Sequence, residues 1–147
     1  MTDAAKAMLA GNLTKVDKSL DPLLSYAKGF TISEGTIKAD ENKSADVLAN
    51  LFQRVYEMTV NIFCRMAEVT LFGDMAPASD QVFRRMREKG LTACTSVWKE
   101  MERECAALRA SAGGNPPEET TERIISAYIP AFTDFRERAL QFLGEKG

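Results

Sequence analysis

The chain has 147 residues, 45% of them hydrophobic and 27% charged, with 19 basic against 21 acidic side chains and no histidine. That length suits a single domain able to bury roughly two-thirds of its unfolded surface, so neither a disulfide nor a metal is needed to hold it. A formal charge of −2 offers no basic excess for nucleic-acid phosphates. The longest uncharged stretch, 124–133, is about half a membrane-spanning helix.

The N-terminal residues lack a basic segment followed by a sustained apolar run, and seven acidic residues precede the first arginine, Arg54. Neither a secretory signal nor a transit peptide fits that pattern, so the expected location is cytoplasmic. Leu9, Leu13, Val16, Leu20, Leu23, Ala27 and Phe30 follow 4-3-4-3 spacing and predict a helix over 3–28 with one apolar seam. Pro22 should kink it, or stop it and restart it with Asp21 as cap. Gly29 suits the C-terminal stop.

Residues 30–43 are the least helical stretch. Short β-like runs flank Glu34-Gly35 in a faint hairpin pattern, but the favoured reading is a long structured loop. Ser44 is a good cap for a second helix over 44–72, ending before Gly73-Asp74. A third helical segment is expected over 79–112. Gly90 either ends its first half, with Leu91 as the apolar residue beyond, or packs inside a continuous helix. Gly113-Gly114-Asn115-Pro116 is the clearest boundary. The last helix, over 116–143, carries Ile125, Tyr128, Phe132, Phe135, Ala139 and Phe142 along one seam, with a kink expected at Pro130. The fold class is therefore all-α: a single domain spanning 1–147, built as a bundle of four main helices.

Recognisable chemistry is missing from the sequence. The lack of histidine removes Ser-His-Asp and Cys-His arrangements, two-His zinc sites and di-iron bundle motifs. No phosphate-binding glycine loop occurs. Cys64, Cys94 and Cys105 are odd in number without C-x-x-C spacing, which points to small apolar packing residues and away from a disulfide or zinc site. Glu100, Glu102 and Glu104 alternate with Lys99 and Arg103 as a solvated helix face. Arg84, Arg85, Arg87 and Lys89 form the densest basic cluster and are expected on an exposed surface. Trp98, Cys94 and Met101 share core-facing spacing with Cys105. No catalytic residue, cofactor or metal is expected, and the chain does not read as an enzyme.

The second helix is the unusual one. Asn50, Arg54, Glu57, Asn61, Arg65 and Glu68 fall in one stripe of roughly 80° at 100° per residue, opposite a core of Leu48, Phe52, Val55, Thr59, Ile62, Phe63 and Met66. Apolar residues continue round one flank at Val60, Cys64, Ala67 and Leu71, a wider arc than a surface helix needs. A cover is required, because large exposed apolar patches are rare on monomers: the rest of the chain, a protein partner or second copy, or an apolar small molecule. The favoured function is a non-enzymatic interaction or assembly module docking through that flank. The alternative is a small carrier or sensor holding an apolar ligand between helices.

Overall fold

The seam residues Leu9, Leu13, Val16, Leu20 and Leu23 are all buried along α1 (Asp3–Ala27). The computed structural model describes residues 3–33, 36–71, 79–111 and 116–144, apart from the side chains of 4, 5, 67–71, 79 and 80. The described residues are mostly helical, with one small two-stranded sheet. α1 runs on through Pro22 without stopping, so Asp21 caps no new helix. Pro22 sits on the exposed side, where the carbonyl left without its amide partner can be hydrated.

The stretch expected as a long loop is a hairpin. β1 (Phe30–Ser33) pairs antiparallel with β2 (Thr36–Ala39), Ile32 opposite Ile37. The ladder extends to Asp40, whose amide donates to the Gly29 carbonyl at 2.8 Å. Gly29 leaves room for the Lys43 side chain: a Cβ there would stand 2.5 Å from Cγ of Lys43, so the lysine would have to shift. Tyr26 then ties the end of α1 to the next helix. Its hydroxyl accepts the Ser44 amide at 2.7 Å, and the Lys43 ammonium lies 4.5 Å from its ring centre. The hairpin is anchored at its far side too, where the Ile37 amide donates to Oε1 of Glu118 at 3.0 Å.

α2 (Ala45–Leu71) begins at Ser44, whose Oγ accepts the Val47 amide at 3.3 Å, as an N-cap should. It is the central helix, packing against α1, α3 (Ser79–Glu88), α4 (Ser96–Ala110) and the start of the last helix. The third segment is two helices, settling the alternatives at Gly90. The Leu91 amide donates to the Met86 carbonyl and the Gly90 amide to Arg87, both at 2.9 Å, with Gly90 at φ 79°. Those two bonds and that dihedral are a Schellman stop, and its apolar pair, Met86 and Leu91, is fully buried.

The last helix, α5, runs over 118–144 with a π turn at Ile124–Tyr128 and regular α-helix on either side. The irregularity lies just before Pro130, which has no amide to give the carbonyls one turn back. In the core, Trp98 of α4 is ringed by Phe63 of α2 at 5.0 Å, Phe83 of α3 at 6.3 Å, and Phe132 and Phe135 of α5 at 5.8 and 6.5 Å between ring centres. The pairs with α5 are edge-on, the arrangement that ring quadrupoles favour. One aromatic cluster thus joins four of the helices.

Two glycine substitutions should have opposite signs. Gly90→Ala forces an L side chain into the left-handed region and should lower stability by about 1 kcal/mol. Gly11→Ala, within α1 and with nothing within 4 Å of the new methyl, should raise it by roughly 0.5–1 kcal/mol. Urea unfolding of both variants measures the two effects.

Candidate functional site

The charged run on α4 is not uniformly solvated, contrary to the sequence reading. Glu100 and Arg103 are exposed, but the Glu104 side chain is only 9% exposed. Its Oε1 accepts Nε of Arg123 at 2.7 Å and the Tyr128 hydroxyl at 3.1 Å, while Oε2 accepts the Thr120 hydroxyl at 2.9 Å. All three partners come from α5. Residues five apart stand about 140° from each other on a regular α-helix. The inserted residue of the π turn brings Arg123 and Tyr128 onto one face, where both reach Glu104.

Burial by itself pushes the Glu104 carboxyl up; the bonds from Arg123 and Thr120 outweigh it and hold the carboxyl below its usual range. Burial first, then the neighbouring Glu104, pushes the Tyr128 phenol up. The carboxylate is fully occupied by its own chain, so the shallow hollow beside it, about 260 Å³, has no free acid or base at Glu104. The arrangement clamps α4 to α5.

The flank singled out on α2 divides. Val60 and Cys64 are half-buried and pack against the core. The side chains of Ala67 and Leu71 lie outside those described. The opposite flank of α2 forms a groove of about 830 Å³ with α1, a feature the sequence reading missed. Leu51, Met58 and Ile62 of α2 and Pro22 of α1 give it an apolar floor; Lys15, Lys18, Arg54 and Arg65 stand around it, with Glu57 the one acidic lining residue. Only Ile62 among the lining side chains is buried, so the groove is an open trough.

Arg54, Glu57, Asn61 and Arg65 are exposed, as their polar stripe predicts. The stripe's position beside α1 required the tertiary structure. Glu57 already has a cation, Arg109 of α4, at 3.4 Å. The four groove cations make no ion pair with any of the described side chains.

Elsewhere, Arg84 and Arg85 border a hollow of about 380 Å³ with Gln81 and Glu88. Cys105 is buried, and burial pushes its thiol up to about 12, which makes it unreactive. Trp98 and Met101 are buried with it, but Cys94 is exposed before α4 and does not share their packing. A hydrogen bond from the Ser96 hydroxyl, then backbone amides, lower the Cys94 thiol. Among the described residues no group of three or more His, Cys, Asp or Glu side chains comes together as a metal site, and no helix is long and apolar enough to cross a membrane. No protein-family model and no curated protein matches the chain.

The Glu104 network carries a pH signature. Its carboxyl is lowered in the folded state, so its contribution is complete above the unfolded value, roughly 4.3. The contribution fades as pH falls through the lower folded value. Glu104→Gln should therefore cost about 2 kcal/mol at pH 7, with Arg123's 43% exposure screening part of the pair. The gap to wild type should narrow below about pH 4. Thermal unfolding across pH 3–8 reads both.

Proposed function

We propose that this chain is a non-enzymatic interaction or assembly module: a helical bundle, bent at Pro22 and Pro130, that docks on a partner protein or a second copy through α2. The observation carrying this reading is the open groove beside α1, where the half-buried side chains of Leu51 and Met58 border the exposed polar stripe. An apolar floor with a polar rim is the anatomy of a docking patch. The proposed contact centres on this groove, and the flank at Val60, Cys64, Ala67 and Leu71 stays a second candidate on the same helix, since Val60 and Cys64 are half-buried against the core just as Leu51 and Met58 are.

The carrier reading, an apolar molecule held between helices, is the weaker one. Ligand sites bury most of their ligand, and a small molecule in this trough would stay wet on its outer side.

A photo-crosslinking residue at Met58, compared with one at Leu140, an apolar residue 53% exposed on α5, tests the docking surface in cells that express the protein. Discrete crosslinked species are expected from position 58 and not from 140. Equal, diffuse or absent crosslinking at both would remove the groove from consideration. Light scattering of the purified chain separates self-association from a foreign partner.

A further inference from the structure

The groove has a sign as well as a shape. Its lining carries Lys15, Lys18, Arg54 and Arg65 against Glu57, in a chain whose own net charge is −2. Glu57 is engaged by Arg109 from the side of α4. Among the described side chains the four cations therefore stand without an ion-pair partner round an apolar floor. Lys15, Lys18, Arg54 and Arg65 are all exposed, and holding four cations round one carboxylate that Arg109 already shares stabilises little in the isolated fold.

The dimensions select among anionic occupants. Lining residues run from Asn12 to Pro22 on α1 and from Leu51 to Arg65 on α2, roughly 15 to 20 Å at 1.5 Å per residue. That length matches about three to four turns of helix, and a trough between two helices suits a third cylinder about 10 Å across. A flat membrane surface would meet the rim and leave the floor uncovered. A second copy docking symmetrically would set cations on cations.

We infer that the α1–α2 groove receives an acidic amphipathic helix of another protein, its apolar stripe on Leu51, Met58 and Ile62 and its carboxylates facing Lys15, Lys18, Arg54 and Arg65. The inference rests on the docking reading above and adds the chemistry of the partner. Apolar contact supplies the binding, and the rim charges set the choice of partner and the rate of encounter.

The test uses a displayed library of helical peptides about 14 residues long, with apolar residues fixed at i, i+3, i+4 and i+7 spacing and the remaining positions randomised. Peptides selected by the full chain should be enriched in Asp and Glu. Binding of the selected peptides should weaken roughly tenfold in a Lys15→Glu, Arg54→Glu double variant and fall with added salt. Both positions are exposed, so the variant should keep its fold, which circular dichroism checks. Selection of peptides that bind at Met58 without acidic bias overturns the inference and leaves the docking surface standing. Selection of none, or only of peptides indifferent to Met58→Glu, overturns the inference, and the crosslinking at position 58 then decides whether the docking surface falls with it. Binding to anionic phospholipid vesicles with no peptide selected assigns the cations to a membrane surface and likewise overturns it.

Discussion

The structure depends on the burial of α2. An apolar arc too wide for a surface helix has to be covered on several sides, and the remaining helices bury its core positions while Val60 and Cys64 on the flank are half-buried. α1, α3, α4 and α5 each meet α2. Phe52, Val55, Phe63 and Met66 along it are all fully buried. At about 1.5–3 kcal/mol for each large side chain removed from water, these residues outweigh any surface ion pair in the molecule. Phe63 against Trp98 and Phe135, and Phe52 against Tyr128 and Phe132, make α2 the element through which α4 and α5 are held to one core.

The π turn in α5 follows from two demands on one segment. Pro130 cannot supply its amide to the helix ladder, so the turn before it is already short of a bond. The surplus residue taken up there aligns Arg123 with Tyr128 on Glu104. The Ser126 hydroxyl, donating to the Glu122 carbonyl at 2.7 Å, satisfies an acceptor beside the widened turn. Local weakness in the ladder is thus offset by a buried, fully bonded carboxylate that joins two helices.

The start of α2 was legible because local chemistry sets it, whereas at Gly90 the sequence left a stop and a continuous helix both open and did not place the start of α4 at Ser96. Ser44 caps α2, and the glycine and leucine at 90 and 91 complete a stop whose residues lie within one turn. The core seam of α1 follows from spacing alone, and so do Tyr128, Phe132, Phe135 and Ala139 of α5, but Ile125 and Phe142 are half-buried and Ile124 takes the fully buried place at the start of that seam. The hairpin was half legible: the pattern round Glu34-Gly35 is visible in the sequence, but its stability comes from Tyr26, Lys43 and Glu118, which no local window contains. Glu104 was misread because alternating charges on a helix ordinarily face water. Only the register of α5 shows that this one faces Arg123. The groove was missed for a related reason, since the polar stripe of α2 becomes a cationic trough only when α1 places Lys15 and Lys18 beside it.

The central claim is that α2 is the axis of the core and that its groove with α1 is surface. Amide hydrogen exchange tests it most directly. Amides of α2 between Leu48 and Met66 should exchange only through global unfolding, with protection equal to the full stability. Amides of β1 and β2 should exchange far sooner. If α2 exchanged through local opening at the rate of the hairpin, while α1 or α5 alone reached the global limit, the arrangement of the fold round α2 would be contradicted.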